Sequence, residues 1–274
     1  MAPSSTVRQT TRMLKSLFGV VHLRPLPSAP RHRGMADVMR HALADAAALV
    51  KGGVDGLMVE NFGDVPFHKG TVDDPVTPDV PAALAVVSNT LRERFDLPIA
   101  INCLRNDGIA AMAAAVVAAA RYVRINVFSG AYLTDQGVIE GSAARVLAFR
   151  KQLGGDVQVL ADFLVKHAVP LQPIDVATGA KDLAERSGAS GIVLSGARTG
   201  APVDVAFLAK VRAAVGRFPI WLGSGLTPDN AAALWPRCDG AIVGTFVKRG
   251  GRVTAPVDVV RVRALVAALR RAGR

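Results

Sequence analysis

Residues 218–245 read FPIWLGSGLTPDNAAALWPRCDGAIVGT, two apolar runs separated by a glycine-rich turn and a helical stretch. The runs Phe218–Gly223 and Gly240–Thr245 lack the two-residue alternation of a half-exposed strand. Continuous apolar character is typical of parallel strands that are buried on both faces of a sheet. A strand, a helix and a second strand in succession form a βαβ unit. This stretch therefore predicts two neighbouring parallel strands with a helix packed against them.

The same unit repeats along the chain and gives eight predicted strands and eight predicted helices. The strands are Leu17–His22, Val54–Glu60, Leu97–Asn102, Tyr122–Val127, Val157–Asp162, Ala189–Ser195, Phe218–Gly223 and Gly240–Thr245. The helices cover about 37–52, 79–95, 107–119, 141–153, 177–187, 203–215, 228–236 and 258–272. A doubly wound sheet more often has about five to seven strands and a G-x-G-x-x-G turn after the first, and no such turn is present. We therefore predict an α/β fold, a single (β/α)8 TIM barrel at 17–274, preceded by a flexible basic tail at 1–16.

The composition is that of a folded globular protein, since half of the residues are apolar and a fifth are charged. Two cysteines, Cys103 and Cys238, are too few for a disulfide framework. The sequence also does not begin with the long apolar segment that directs a protein to secretion. We therefore expect a cytoplasmic protein. The longest apolar run, 109–120, is shorter than the roughly 20 residues that span a membrane. The acid-free segment 1–16 superficially matches an organellar transit peptide, and we interpret it as a frayed tail.

The net charge of +11 is concentrated at the two ends of the chain. Residues 1–36 contain six basic and no acidic side chains, and residues 246–274 contain eight basic and one acidic. Aromatic residues, which nucleic-acid-binding surfaces interleave with basic ones, make up only 5% of the chain. We therefore expect no nucleic-acid partner. In a closed barrel the first and last units are neighbours, so the two basic ends should lie side by side. Arg24 and Lys248-Arg249 follow strand ends and are expected to help attract an anionic ligand, whereas the arginines of the last helix are expected to face outward.

Polar residues follow the predicted strands at their C-terminal ends, where TIM barrels carry their active sites. His22, Glu60 and Asp162 are the predicted catalytic residues, because an imidazole and two carboxylates can transfer protons near neutral pH. His22 could instead be a hydrogen-bonded wall of the barrel, and the carboxylates could form ion pairs with Arg105, Arg124 or Lys166. The predicted binding residues are Asn61, Asn102, Arg105, Arg124, Asn126, Lys166, Ser195, Gly223, Ser224, Gly225, Gly244 and Thr245.

Several of these residues have specific alternatives. Lys166 could pair with a phosphate or, if burial lowered its pKa, form a Schiff base; the alternative is an ammonium solvated on its loop. The three asparagines could bind sugar hydroxyls or tie neighbouring loops together. No H-x-H or HExxH spacing is present, so we predict no metal site and no cofactor. Cys103 is expected to be a small buried residue, and Cys238 precedes the eighth strand at the opposite end of the barrel, so neither is expected to be a nucleophile.

The turn at 223–227 and the pair Gly244-Thr245 follow the last two strands, where TIM barrels often bind phosphate. Their small residues allow backbone N–H groups to approach an oxyanion. Thr227-Pro228 is expected to cap a helix that begins directly after the turn, and a helix N-terminus favours anions. These two segments therefore predict a phosphate site, with simple tight turns as the alternative.

A set of segments across residues 17–262 resembles the BtpA/SgcQ family. They are 18–23 (FGVVHL), 25–27 (PLP), 53–67 (GVDGLMVENFGDVPF), 102–107 (NCLRND), 124–127 (RINV), 134–137 (TDQG), 166–168 (KHA), 195–196 (SG) and 199–200 (TG). The resemblance implies a barrel of the ribulose-phosphate-binding kind, in a family tied to photosystem I biogenesis in cyanobacteria and to sugar or nucleoside metabolism in other bacteria. It implies no established catalytic mechanism.

The stretch 225–230 (GLTPDN) is also similar to the phosphate loop of phosphoribosylanthranilate isomerases. Asp162 ends the fifth strand, where those enzymes keep an acid. His22 stands in place of their cysteine, however, so we do not transfer their reaction to this chain.

Together these features predict a protein that binds a phosphorylated small molecule, of the phosphosugar, phosphoribosyl or nucleoside type. It would act as an isomerase, a lyase or a nucleosidase-like enzyme by acid–base chemistry. A homo-oligomer is compatible with the sequence. The alternative is a non-catalytic assembly factor, without a transmembrane segment, that contacts membranes peripherally through its clustered basic residues.

Overall fold

The computed structural model describes residues 15–273. Its strands are β1 (Ser16–His22), β2 (Gly56–Glu60), β3 (Ile99–Asn102), β4 (Tyr122–Ile125), β5 (Ala131–Thr134), β6 (Gly137–Glu140), β7 (Gln158–Phe163), β8 (Ala168–Pro170), β9 (Gly191–Leu194), β10 (Ile220–Leu222) and β11 (Gly240–Val243). Its α-helices are α1 (Met35–Gly52), α2 (Asp79–Phe95), α3 (Gly108–Val117), α4 (Ala143–Gln152), α5 (Val176–Arg186), α6 (Val205–Val215), α7 (Ala231–Leu234) and α8 (Val259–Arg271).

Eight of the strands form a closed parallel barrel in the order β1-β11-β10-β9-β7-β4-β3-β2. The barrel closes where β1 pairs with β11, with Ser16 opposite Gly240. The predicted (β/α)8 fold is therefore confirmed, and the predicted strand ends differ from the observed ones by at most two residues. Most of the predicted tail, residues 1–14, lies outside the described residues. Lys15 is described, and its ammonium lies 4.5 Å from the centre of the Trp235 ring.

Large side chains fill the interior of the barrel and form the floor beneath its C-terminal end. The edge of Phe18 meets Trp221 and Tyr122, with ring centres 5.4 and 5.7 Å apart. Two strands begin with glycine because of this packing: a Cβ at Gly56 would lie 2.5 Å from the Phe18 ring, and one at Gly240 would lie 2.7 Å from Trp221. The helices pack on the outside of the barrel through a second, larger apolar cluster.

The sequence did not predict a three-stranded antiparallel sheet that β5, β6 and β8 form in the order β6-β5-β8. Its strands come from the loops after β4 and β7, so the sheet stands at the C-terminal end of the barrel. Leu133 lies opposite both Val138 and Val169, and all three side chains are exposed. Tyr132 and Ile139 are buried on the opposite face. The alternation shows that one face of this small sheet packs on the protein.

The expected helix after the turn at 223–227 is shorter and later than predicted. Helix α7 begins at Ala231 and has four residues, followed by a 3-10 turn at Trp235–Arg237. Thr227 does not cap it. Instead, Asn230 Oδ1 accepts a hydrogen bond from Thr227 N at 2.8 Å, and Asn230 Nδ2 donates to Gly225 O at 2.8 Å. Asn230 therefore braces the turn, and no extended helix points its N-terminus at this segment.

The basic residues near the C-terminus divide into exposed and buried ones. Arg263, Arg270 and Arg271 on α8 are exposed, as expected. Lys248, which followed a strand end and was expected to help attract an anion, is only 1% exposed and forms an ion pair with Asp45 of α1. That expectation was wrong, because the carboxylate that Lys248 meets belongs to the protein. Among the helices of residues 15–273, none is long and apolar enough to cross a membrane.

Candidate active site

A cavity of about 640 Å³ opens at the C-terminal end of the barrel. Most of the predicted site residues line it: His22, Glu60, Asn102, Arg105, Arg124, Asn126, Lys166, Gly223, Ser224, Gly225, Gly244 and Thr245. Three predicted residues, Asn61, Asp162 and Ser195, do not line it. Because the strands are parallel, side chains that are far apart in sequence meet at this one edge.

His22 and Glu60 end the paired strands β1 and β2 and lie opposite each other in the register. His22 Nε2 is 4.0 Å from Glu60 Oε1, and the imidazole packs on Phe62 with ring centres 4.7 Å apart. His22 Nδ1 is buried and has no hydrogen-bond partner in the described chain. The Glu60 side chain likewise accepts no hydrogen bond from residues 15–273, and it is about nine-tenths buried.

The electrostatic environment shifts the pKa values of His22 and Glu60 in opposite directions. Burial, helped by the positive charges of Lys248 and Lys166, holds the pKa of His22 well below 6.5. Burial also raises the pKa of Glu60, against the opposing effect of Arg124. The imidazole is therefore neutral at pH 7, and the carboxyl group retains a proton more readily than an exposed glutamate does. Such a pair can exchange protons with a ligand.

Asp162 is committed to a structural ion pair rather than to the cavity. Its two oxygens accept hydrogen bonds from Arg124 Nε and Nη2 at 2.9 and 2.8 Å, and from Asn126 Nδ2 at 3.0 Å. Burial disfavours the charged guanidinium, yet the Asp162 carboxylate outweighs it and raises the pKa of Arg124. Of the two interpretations of Asp162, the geometry favours ion pairing, so we do not retain it as a catalytic residue.

The three predicted asparagines have different surroundings, and Asn126 is the one that donates to Asp162. Asn61 ties two loops together, because it donates to Asp64 and Leu104 O and accepts from Leu104 N at 2.7 Å. Both of its N–H donors are therefore engaged within the protein, and Asn61 does not line the cavity. Asn102 donates to Arg124 O at 2.8 Å, but its Oδ1 is buried without a partner beside the cavity. Asn102 therefore remains a candidate ligand-binding residue.

Two basic residues reach the cavity from neighbouring loops. Arg105 is 7% exposed, and its Nη2 donates to the backbone oxygen of Lys166 at 3.1 Å. The Lys166 ammonium has no hydrogen-bond or ion-pair partner among residues 15–273. Burial, with Arg124 as the next contribution, lowers the pKa of Lys166 to about 8. An unpaired, partly desolvated amine is therefore available to a ligand.

The glycines of the two predicted phosphate segments permit close packing. A Cβ at Gly223 would lie 2.6 Å from Ser195 Oγ, and one at Gly244 would lie 2.7 Å from His22 Cε1. Gly225 has φ +72°, which only glycine adopts freely. Ser224 Oγ is engaged with Gly196 N at 3.3 Å and Ala201 O at 3.2 Å, so only its backbone is free to bind a ligand.

Several residues of the cavity wall were not among the predicted site residues: Phe62, Phe67, Asp135, Gln136, Thr199, Phe246 and Arg261. Asp135 and Gln136 form the tip of the β5–β6 hairpin, which was not predicted. Arg261 lies on α8 but turns inward, where its Nε donates to Phe246 O at 2.6 Å and its guanidinium stacks on the Phe246 ring. Residues two positions apart on a helix face nearly opposite sides, so the outward position of Arg263 could have indicated that Arg261 faces inward.

In the described part of the chain, no group of three or more His, Cys, Asp or Glu residues could hold a metal ion.

Comparison with known proteins gives the family. The model of the BtpA family matches residues 13–271. The chain belongs to the BtpA family. An uncharacterised family relative from Thermococcus kodakarensis is 45% identical over 92% of this chain and 94% of its own length. The photosystem I biogenesis protein BtpA of Synechocystis is 41% identical over 95% of this chain and 90% of its own length.

Solved structures similar to this BtpA-family chain include TIM-barrel enzymes. Thiamine phosphate pyrophosphorylase from Pyrococcus furiosus has a TM-score of 0.57 at 13% identity and covers 96% of this chain and 98% of its own. Phosphoribosyl anthranilate isomerase from Thermococcus kodakaraensis has a TM-score of 0.54 at 20% identity and covers 94% and 99%. At these identities the similarity shows the fold alone.

Proposed function

We propose that the cavity binds a phosphorylated small molecule, of the phosphosugar or phosphoribosyl type, and that the protein catalyses acid–base chemistry on it. The observation that carries this proposal is that one cavity combines a glycine-rich segment suited to an anion with two ionisable side chains. Glycine-rich turns after β10 and β11 form one part, and His22 and Glu60, which lie 4.0 Å apart, form another. The similar solved enzymes include ones whose names refer to phosphate esters, which agrees with the proposal.

In this proposal the phosphate binds to the backbone N–H groups of residues 224–226 and to Gly244-Thr245, because the N–H groups of Gly223 and Thr227 donate to Leu194 O and Asn230 Oδ1. Arg261 supplies the nearby positive charge from α8. Arg105 and Lys166 approach from the loops after β3 and β7. His22 and Glu60 transfer protons to and from the reacting part of the ligand, while Arg124, held by Asp162, orients it.

The test compares phosphorylated and unphosphorylated ligands in thermal unfolding. Ribose 5-phosphate, glucose 6-phosphate and dihydroxyacetone phosphate are each matched with the free sugar or ketone. A ligand at 100 times its Kd stabilises the native state by about 2.7 kcal/mol. For a domain of this size that raises the Tm by about 5–10 °C. Equal Tm values with and without every phosphate, at millimolar concentration, would refute the proposal.

A matched pair of variants locates the phosphate. Arg261→Gln removes an inward-facing charge beside the cavity, whereas Arg263→Gln removes an exposed charge two residues away on the same helix. We expect Arg261→Gln to weaken binding of the phosphorylated ligand about tenfold or more, since charge-assisted hydrogen bonds contribute about 1.5–3 kcal/mol. Arg263→Gln should bind like the wild type.

A second candidate function is peripheral membrane association in assembly of a membrane complex. It is favoured by the name of the Synechocystis relative and by the exposed Arg263, Arg270 and Arg271. Each basic residue near an anionic surface contributes about 1 kcal/mol. Co-sedimentation with phosphatidylserine vesicles at low salt should then be lost in the triple glutamine variant and retained in His22→Asn.

A further inference from the structure

We infer that Lys166 is a nucleophile that forms an imine with the carbonyl group of a phosphorylated aldehyde or ketone. This inference deepens the proposed function and rests on it, because the phosphate would hold the carbonyl group in the cavity. It narrows the substrate from any phosphorylated compound to one that has, or can open to, a free carbonyl group.

Lys166, which is half-buried, differs from the buried Lys248 in that its ammonium has no partner in the described chain. Lys248 is neutralised by Asp45, and the exposed Lys181 and Lys210 pair with Glu185 and Asp175. Lys166 lines the cavity, yet its Nζ makes no hydrogen bond or ion pair with residues 15–273. A protein gains no stability from an unpaired amine in a partly desolvated place, so a role toward a ligand accounts for it best.

The turn that carries Lys166 is held from two sides. Arg105, from the loop after β3, donates to the Lys166 backbone oxygen at 3.1 Å. The next residue, His167, has its Nε2 3.0 Å from Thr199 Oγ1 in the loop after β9. His167 also has φ +59°, a backbone conformation that residues other than glycine rarely adopt. The lysine therefore extends from a fixed backbone into the cavity.

The surroundings of Lys166 favour the nucleophilic, neutral amine. Burial and the positive charges of Arg124 and Arg105 lower its pKa to about 8, although Glu60 and Asp162 oppose them. At pH 7 roughly one molecule in ten then carries a neutral amine, against fewer than about one in a thousand for a lysine of pKa 10.5. Desolvation beside a second cation is a recognised way to activate a lysine toward carbonyl substrates.

The reaction needs only groups already in the cavity. The neutral Nζ attacks the carbonyl carbon, a C–N bond forms as the C=O π bond breaks, and the nitrogen passes one proton to the oxygen to give a neutral carbinolamine. The C–O bond then breaks, water leaves with a proton supplied by Glu60 in its acid form, and an iminium ion remains. Water reverses both steps. No oxidant or reductant is required.

An iminium ion withdraws electrons from the neighbouring carbon atom. It therefore favours loss of a proton or cleavage of a carbon–carbon bond at that position, with His22 or Glu60 as the proton acceptor. Of the three predicted reaction types, an isomerase or a lyase uses this chemistry and a nucleosidase does not.

Borohydride trapping tests the inference. The full chain is incubated with dihydroxyacetone phosphate, glyceraldehyde 3-phosphate or ribose 5-phosphate, reduced with sodium borohydride, and analysed by intact mass and peptide mapping. We expect one adduct per chain on Lys166, with the mass of the carbonyl compound less one oxygen atom. Glycerol 3-phosphate, which has no carbonyl group, should suppress the adduct by competition. Lys166→Met and Lys166→Arg should each lower trapping at least tenfold, and Lys181→Met should not change it.

The outcomes separate this inference from the proposed function. If glycerol 3-phosphate raises the Tm but no carbonyl phosphate is trapped, the imine is refuted and phosphate binding stands. Adducts spread over exposed lysines, or undiminished in both Lys166 variants, also refute it. If no phosphate raises the Tm and nothing is trapped, both fail. Because the adduct is mapped on the wild-type chain, misfolding of a variant does not affect the result.

Discussion

Asp162→Asn and Glu60→Gln form a matched pair that tests which buried carboxylate stabilises the barrel. Both replacements keep the shape of the side chain and remove one negative charge at a strand end. Asp162 is completely buried and bound to Arg124 by two hydrogen bonds of 2.8 and 2.9 Å, whereas Glu60 is buried with no such partner. We expect Asp162→Asn to be strongly destabilising and Glu60→Gln to be neutral or stabilising.

The expected magnitudes follow from these surroundings. Removing one partner of a buried ion pair costs about 3–5 kcal/mol. At about 2–4 °C per kcal/mol, the Tm of Asp162→Asn should fall by about 6–20 °C. Burial raises the pKa of Glu60 in the folded state, so its ionisation destabilises the native protein as the pH rises. Glutamine cannot ionise, and Glu60→Gln should therefore unfold at or above the wild-type Tm at pH 7, with a smaller difference at pH 4.

Calorimetry or circular dichroism on the two variants, and on Arg124→Met combined with Asp162→Leu, provides the measurement. The double replacement removes both charges and should recover much of the lost stability, because no uncompensated charge stays buried. The reasoning is wrong if Asp162→Asn and Glu60→Gln unfold at the same temperature. It is also wrong if the double variant is less stable than Asp162→Asn alone.

Three further outcomes are expected. Burial holds the pKa of His22 well below 6.5, so as the pH falls through about 6.5 the unfolded chain binds a proton that the folded protein does not. The wild type should therefore lose stability in this range. In a Tm series from pH 8 to 5, His22→Asn should lose less. Lys248→Met leaves the Asp45 carboxylate without its buried partner and should cost about 3–5 kcal/mol in chemical denaturation, of which Asp45→Asn in the same chain restores part. Gly244→Ala places a methyl group against His22 and should cost about 1–3 kcal/mol, and a second change, His22→Ala, should raise the Tm of that variant if the contact is the cause.

The barrel could be predicted from sequence because each strand is buried on both faces. Continuous apolar runs ending in a polar residue, such as His22 after β1 and Glu60 after β2, mark both the strand and the edge where the site forms. Parallel pairing then brings those ends together without any further information. The position of most of the predicted site residues therefore followed from the fold.

The roles of those residues depended on side-chain pairing, which spacing does not determine. Asp162 and Glu60 occupy equivalent places at strand ends, but Arg124 reaches only the first. Lys248 and Lys166 both follow strands, yet one meets Asp45 and the other meets no partner in the described chain. The β5–β6 hairpin was not predicted because its four-residue strands are too short to show a clear alternation of apolar and polar residues.

The closure of the barrel through β1 and β11 has a geometric consequence for handling the protein. Parallel strands all start at one face, and α8 runs back to it, so residues 15 and 273 both leave the barrel on the side opposite the cavity. A tag, a fusion partner or a sensor chip joined to either terminus would leave the entrance pointing outward. Attachment of the protein at a chain end therefore does not cover the cavity entrance. An immobilised sample can serve directly for the binding and trapping measurements.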